Sequence, residues 1–276
     1  MPTADQKSGA CKATFLLLVL TAERKNMNSF MSWVGGKKNL RDEVLARFPP
    51  YYERYIEVFG GAGWVLFHKP PGADFEVYND FNSNLTNLYR CVRDKPNRLK
   101  YKLRYVLDSR EDFDLTSSLH KRGILPRLYD VDRAAKFYQL IRYSYASGLD
   151  SFGSQPHSMW SDFPMIDLAA RRLQKVVVEN KDFEKLIRQY DRPVSFFYCD
   201  PPYFATENYY KDVGFTAKDH IRLRDALLDI KGRFLVSYND CPEIREIWDK
   251  PNTHIEEISR LNNLAQRYDA GCQYGE

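Results

Sequence analysis

The segment Phe196-Phe-Tyr-Cys-Asp200-Pro201-Pro202-Tyr203 places a carboxylate, two prolines and a phenol in direct succession after an apolar run. Each proline fixes its own φ and drives the preceding residue into extended backbone, so Asp200 is held just past a strand with little freedom. A carboxylate preorganised in this way, beside the Pro201 carbonyl, suits work on an exocyclic amino group. By accepting its N–H bonds the pair releases the nitrogen lone pair from the ring. Pro202 stiffens the turn, and Tyr203 offers an aromatic plate for a planar base. A simple turn closing a strand would use the prolines, but it would have no need of the acid and the phenol in this order.

Two earlier stretches suit a nucleotide-like ligand. In Glu57-Val-Phe59-Gly60-Gly61-Ala-Gly63-Trp64 a strand runs into three glycines and then an apolar helix, which lets the backbone turn sharply and come close to a ligand. A structural tight turn or a dinucleotide-binding loop would read the same way. About twenty residues on, Asp80 ends the run Val77-Tyr-Asn-Asp80-Phe-Asn82. A carboxylate at the end of a second strand can accept hydrogen bonds from both ribose hydroxyls of an adenosine-containing cofactor. Asp80 or Asn82 would equally cap a helix that begins near Ser83.

The elements that must carry these groups alternate. Short β-branched and aromatic runs at Tyr55–Phe59, Phe75–Tyr78, Val176–Val178, Val194–Cys199, Arg233–Tyr238 and His254–Ile258 are separated by segments with helical spacing. This pattern predicts an α/β, Rossmann-like fold with a mainly parallel sheet. Nearly a hundred residues between the second and third runs contain no strand, too many for a structureless loop, so they are expected to form a helical insertion. Within it Ala134, Phe137 and Ile141 form an apolar stripe that reads as core. Tyr138, Arg142 and Tyr145 recur on another face that is either solvated or meets nucleic acid. The Gly, Ser and Pro content of Ser147–Trp160 indicates a loop. Thr216 with Asp219 three residues later is a capping-box pattern that opens a helix running to about Ile230.

The whole chain has 276 residues, 43% hydrophobic and 28% charged, with a net charge of +4, which is ordinary for one large domain carrying an insertion. The basic charge is concentrated: between Tyr89 and Gly148 there are fourteen Lys or Arg against seven Asp or Glu. A solvated helical face or a polyanion-binding surface would produce this bias. Five cysteines, at positions 11, 91, 199, 241 and 272, are odd in number and widely spaced, so they suggest neither a disulfide framework nor a zinc site, and no metal is expected. The one conspicuous apolar run, Phe15–Leu20, is far short of the roughly 20 residues of a membrane span. With Lys12 before it and Thr21-Ala22 after it the run could mimic a signal peptide, but Glu23-Arg24-Lys25 come next and no clean small-residue cleavage site follows. Residues 1–31 read as an extension or as the product of a start placed too early, with Met27 and Met31 as later candidates. A reducing cytosol fits best.

Taken together, the chain resembles the Dam-type DNA adenine-N6 methyltransferases of bacteria and phages. Trp33-Val34-Gly-Gly-Lys37-Lys38 resembles their amino-terminal cofactor motif, Phe59 to Gly63 their glycine loop, Asn79-Asp80-Phe-Asn82 their ribose motif and Asp200-Pro-Pro-Tyr203 their catalytic motif, in matching order. The resemblance implies S-adenosyl-L-methionine as cofactor, double-stranded DNA as substrate, a cytoplasmic and monomeric enzyme, and a role in DNA adenine methylation or restriction-modification. It implies cofactor contacts at Trp33, Val34, Lys37, Phe59, Gly60, Gly61, Gly63, Asp80, Asn82 and Asp200. Asn180-Lys-Asp182-Phe183 resembles the segment that touches the cofactor adenine, with Asp182 as acceptor for its amino group, although Asp182 is equally placed to cap a helix. Lys37 would lie near the cofactor carboxylate or a DNA phosphate, or else stand as a surface lysine. Lys37, Lys121, Arg122, Tyr138, Arg142 and Tyr145 are the expected DNA contacts. The parts are then a cofactor-binding portion at 32–88, a DNA-recognition insertion at 89–165 and a catalytic portion at 166–276.

Two departures qualify the resemblance. The family often carries Asn-Gly-Leu-x-Arg in its DNA-contacting loop, whereas this chain has Ala146-Ser-Gly-Leu-Asp150-Ser151 without that arginine, so the recognition sequence does not carry over. The family usually continues beyond the position of Tyr274 into another strand, so either the carboxyl-terminal portion is truncated or the sheet lacks an edge strand. Rival readings are amino methylation of cytosine N4, of adenine in RNA or of a protein amide, a catalytically silent DNA-binding protein of the same fold, and a dinucleotide oxidoreductase. The acidic tetrapeptide after the fourth strand argues against the last.

Overall fold

The computed structural model describes residues 27–153, 155–205, 214–261 and 273–275. The apolar run at 15–20, the termination of the chain and two of the cysteines, Cys11 and Cys272, lie outside these residues. Five strands, β1 (Arg54–Glu57), β2 (Phe75–Asn79), β3 (Val176–Glu179), β4 (Ser195–Cys199) and β5 (Arg233–Val236), form one sheet in the order β3-β2-β1-β4-β5. All four pairings are parallel. The first five expected strands are therefore present. The sixth, His254–Ile258, is not a strand; the chain stays irregular there, and a short pair, β6 (Ser259–Leu261) with β7 (Gln273–Gly275), forms a separate antiparallel ribbon. The run contains His254, Glu256 and Glu257, all exposed, and so has no face to bury against the sheet edge.

Parallel strands with both faces covered read as continuous apolar runs, and β4 is buried at all five positions. Alternate residues go to opposite sides. Tyr55, Tyr78, Phe196 and Tyr198 pack into one core, while Ile56, Val77, Phe197 and Cys199 pack into the other. The second core is covered by α8 (Phe183–Tyr190), α9 (Ala217–Leu228) and α10 (Pro242–Trp248). The first is covered by the helices between β2 and β3: α3 (Ser83–Asp94), α4 (Pro96–Leu103), α5 (Arg110–Lys121), α6 (Asp130–Tyr143) and α7 (Phe163–Leu173). Along α3, Leu85, Leu88, Tyr89 and Val92 follow the i, i+3, i+4, i+7 pattern and are all buried. Near the amino terminus lie α1 (Arg41–Ala46) and α2 (Trp64–His68).

The helical insertion thus shares its core with the sheet. Positions 88 and 165 fall inside α3 and α7 rather than in linkers. The packed region also begins before residue 32: Phe30 and Met31 are buried, and the Ser29 hydroxyl donates to the Ala62 carbonyl at 2.6 Å. On α6, Ala134, Phe137 and Ile141 are buried as expected, but Tyr138 is buried as well and its hydroxyl donates to the Phe30 carbonyl at 3.1 Å. Of the expected outer stripe, Tyr138 therefore faces inward, whereas Tyr145, just past the end of α6, is exposed. α6 is packed against α3, α4 and α5, which leaves the ring at 138 facing the interior, where its hydroxyl reaches the Phe30 carbonyl.

Candidate active site

The strand order reverses beside β1, between its neighbours β2 and β4, and ligands of open α/β sheets sit at the carboxyl ends of the strands at such a point. A cavity of about 950 Å³ opens there. Its wall includes Trp33, Val34, Lys37, Phe59, Gly60, Gly61, Gly63, Asp80, Asn82, Lys121, Asp182, Phe183, Asp200 and Pro202, so residues spread over some 170 positions face one space. Pro201 is buried just behind the wall, and the half-buried Tyr203 reaches the group through Lys37.

The glycine loop needs its glycines. Gly61 and Gly63 take left-handed φ values of 50° and 65°. A Cβ at Gly60 would lie 2.2 Å from the Tyr78 ring, which itself stacks on Tyr89 with centroids 3.8 Å apart. Asp80 accepts hydrogen bonds from Gly61 N at 2.9 Å and Asn82 N at 2.8 Å, one on each carboxylate oxygen. A carboxylate has about four lone-pair sites, so acceptor capacity remains. Burial pushes the Asp80 carboxyl up from 3.8 to about 6, against the lowering pull of those two amides. The helix-cap alternative for this stretch is settled by Asn82, whose side chain accepts from Asn84 N and Leu85 N. Asp182 does cap α8, accepting from Glu184 N at 3.1 Å and Lys185 N at 3.4 Å, and it also pairs with Arg222 at 3.1 Å. Beside it Phe59 and Phe183 form an aromatic wall, with centroids 5.7 Å apart.

The Asp200 carboxylate is held through one oxygen. Lys37 Nζ lies 2.8 Å from Oδ1, and Ser237 Oγ donates to the same atom at 3.0 Å. No hydrogen bond reaches Oδ2 among the described residues. Lys37 is 6% exposed, so it is not a surface lysine; it donates to the Tyr203 hydroxyl and sits 4.4 Å from the centre of that ring. The strand-to-turn connection after Tyr203 is pinned by a reciprocal pair: Phe204 N donates to Asn239 Oδ1 at 3.1 Å, and Asn239 Nδ2 donates to Phe204 O at 3.3 Å.

Several contributors escaped the sequence reading. Asn79, buried at the end of β2, donates to the Val58 and Lys181 carbonyls and accepts from Lys181 N, tying together the ends of three strands. Asn180 donates to the carbonyls of Asp80 and Phe81. Ser237 and Asn239 follow β5 and steady the tetrapeptide, as described above. Glu57, 2% exposed, lines the cavity at the head of the glycine loop. Burial pushes its carboxyl up to about 8, opposed by the Tyr55 hydroxyl, which donates to it at 2.7 Å. Its place as the last residue of a strand entering the glycines was the available signal.

On the insertion side, Lys121 and Tyr145 are exposed, as is Arg122. Arg142 is directed inward instead: it bonds Asp162 at 2.9 Å and the His157 ring, which also meets Asp162 at 2.8 Å. Of the six expected DNA contacts, Tyr138 and Arg142 are thus committed to internal partners and Lys37 to the base of the cavity. Among the described residues no group of three His, Cys, Asp or Glu is placed to hold a metal ion, and no helix is long and apolar enough to cross a membrane.

Residues 33–264 match the family described as D12 class N6 adenine-specific DNA methyltransferase. The chain is 29% identical over 267 residues to a type II methyltransferase of Lactococcus lactis subsp. cremoris, covering 88% of this chain and 92% of that protein. It is 26% identical over 266 residues to the DNA adenine methylase of Escherichia coli, covering 86% and 89% respectively. The DNA adenine methylase of Vibrio cholerae is also 26% identical, over 259 residues, with 86% and 90% covered. With the glycine loop, the acidic strand end and the Asp-Pro-Pro-Tyr turn converging on one cavity, and with the family match spanning most of its length, the chain belongs to the D12 class of N6 adenine-specific DNA methyltransferases.

Proposed function

We propose that this chain binds S-adenosylmethionine in the cavity at the sheet's carboxyl edge and methylates N6 of an adenine rotated out of duplex DNA. The observation that carries the reading is the meeting of Asp200, Asp80 and the glycine loop in that one cavity. The donor set suits the cofactor. The spare acceptor sites of Asp80 suit the ribose hydroxyls, with Asn82 behind them, and the wall of Phe59 and Phe183 suits a flat purine. Asp182 can accept from its amino group while capping α8. Trp33, Val34, Gly60, Gly61 and Gly63 complete the lining. When bound, the cofactor supplies the methyl group as an electrophilic sulfonium.

The chain's own residues do the rest. Lys37 and Ser237 orient Asp200 through Oδ1, leaving Oδ2 to accept one N–H of the target amino group, while the Pro201 carbonyl accepts the other. Both acceptors draw the nitrogen lone pair out of the ring, and Asp200 takes the proton that leaves once the nitrogen carries the methyl group. Pro202 keeps the turn from relaxing. Tyr203 stacks on the base; such a contact is worth roughly 1–3 kcal/mol, which offsets much of the few kcal/mol spent in unstacking it. Lys121, Arg122 and Tyr145 meet the DNA outside the cavity. The enzyme acts as a monomer in the cytoplasm, where its three described cysteines stand as free thiols.

Purified chain incubated with duplex DNA and S-adenosylmethionine should yield N6-methyladenine on nucleoside analysis. Asp200→Ala should lower single-turnover methylation by roughly a hundredfold or more, with far less change in cofactor affinity. Failure of the parent to modify DNA, or an Asp200→Ala rate equal to the parent's, overturns the assignment, and N4-methylcytosine as the product would redirect it.

A further inference from the structure

From the insertion, Ser147, Gly148, Leu149 and Asp150 line the same cavity as Asp200 and the glycine loop. The segment is rigidly built. Tyr145 N donates to Ser151 O at 2.8 Å, Gly148 N to Tyr145 O at 3.0 Å and Gly153 N to Tyr143 O at 2.6 Å, and Ser144 bridges Phe152. Below it the Ser117 hydroxyl donates to the Leu149 carbonyl at 3.4 Å. Three residues other than glycine are forced into left-handed backbone, Ala146, Ser147 and Leu149, with φ of 49°, 58° and 64°. Such conformations persist where surrounding contacts over-determine them, and they cluster at ligand clamps.

This braced loop presents Asp150 at the mouth of the cavity. Its side chain is 80% exposed, and its one ion pair among the described residues, to Lys121 Nζ at 3.8 Å, is too long and too open to hold it. An acidic group facing a polyanion weakens binding unless it meets a hydrogen-bond donor. On the major-groove edges of the bases the donors are the exocyclic amino groups of cytosine N4 and adenine N6, whereas guanine and thymine offer acceptors at those positions. A carboxylate only accepts.

We infer that Asp150 is a specificity-determining residue: on the strand that carries the target adenine it selects a neighbouring base with an exocyclic amino group in the major groove, cytosine or adenine, and rejects guanine and thymine, whose pairs offer that group only on the opposite strand. This rests on the DNA methylation proposed above. Lys121 then supplies phosphate attraction beside it, and the braced backbone holds the carboxylate in register with the cavity.

The test is to methylate a duplex library, randomised around adenine, with the full chain and to read the modified positions by sequencing. The parent should show one position near the methylated adenine restricted to cytosine or adenine. Asp150→Ala should relax that position about tenfold or more, and the isosteric Asp150→Asn, which can donate as well as accept, should admit guanine and thymine there. The remaining positions of the profile should be unchanged. A parent that methylates with a defined profile that both variants reproduce overturns this inference alone. A parent that methylates nothing overturns the proposed function, and this inference with it. Since Asp150→Asn removes no volume, an unfolded Asp150→Ala leaves the comparison intact. Cytosine and adenine are told apart by which of the two the parent profile retains.

Discussion

At the residue scale, Asp80 combines two opposed demands. As a ligand for ribose hydroxyls it must be ionised, yet burial lifts its carboxyl to about 6. Affinity for S-adenosylmethionine, followed by calorimetry, should therefore fall as pH drops through about 6, by up to roughly tenfold per unit as the acceptor charge is lost. Asp80→Asn should bind weakly with little of this pH dependence. For folding the sign is reversed. The raised value means that the protonated form is favoured in the fold, so the contribution of this group to stability is greatest below the ordinary value of 3.8 and is lost as pH rises through about 6. Melting temperatures of the free protein should show that loss between pH 4 and 7, and Asp80→Asn should lack it. Equal pH slopes in the parent and the variant would remove Asp80 from this role. Asp200 and Lys37 show the complementary arrangement, a buried lysine paired with a partly buried carboxylate whose second oxygen is left open.

At the scale of elements, the site depends on how closely β1 and β2 let their following loops approach. Gly60 N donates to the Asn79 carbonyl at 2.7 Å, and the Tyr78 hydroxyl donates to the Gly61 carbonyl at 2.7 Å, so the loop is stitched to the neighbouring strand from both sides. Gly60→Ala should cost about 1–3 kcal/mol of stability, as overpacking does, because the Tyr78 ring it meets is already stacked on Tyr89. Combining it with Tyr78→Val should give a double variant more stable than the sum of the single losses predicts, a coupling readable by urea denaturation. Strict additivity would mean that the loop moves away instead. Asn79 acts at the same scale. One buried amide fixes the relative heights of three strand ends, which sets where Asp80 and Asp182 stand along the cavity.

At the scale of the molecule, the excess of basic charge in the insertion divides into two populations. Lys95, Lys100 and Lys102 are paired with Asp130, Asp167 and Asp132, and Arg142 with Asp162, so these cations brace helices. Lys121 and Arg122 lie exposed at the end of α5 beside the cavity. Replacing both with Gln should weaken duplex binding and reduce the slope of log affinity against log salt by about 0.9 for each phosphate contact removed. Arg142→Gln should leave that slope alone and lower the melting temperature instead, since it strips Asp162 of a partner at a site only 8% exposed. A slope that changes with Arg142 and not with Lys121 and Arg122 would reverse the assignment.

The sequence by itself determined the class of fold, the family and the residues around the cavity, because these are local in their causes. Five of the six β-branched and aromatic runs are strands, and the sixth, His254–Ile258, is not, because its charged residues leave it no face to bury; the prolines constrain Asp200 wherever the strand ends, and the glycines, Asp80 and Asp182 are marked by their positions at strand ends. Helical periodicity likewise identified the inward stripe of α6 at Ala134, Phe137 and Ile141. What it could not state is how many sides of a helix are covered, since that depends on neighbours distant in the chain. Tyr138 and Arg142 have the spacing of an outer face but meet Phe30 and Asp162. Tertiary structure also decided the partners of buried polar groups: Lys37 with Asp200 across more than 160 residues, Ser237 and Asn239 behind the tetrapeptide, and Glu57 kept in a low-dielectric site. Desolvation and hydrogen bonding act through space, so these pairings and the perturbed carboxyls at Glu57 and Asp80 come into being only when the sheet brings its strand ends together.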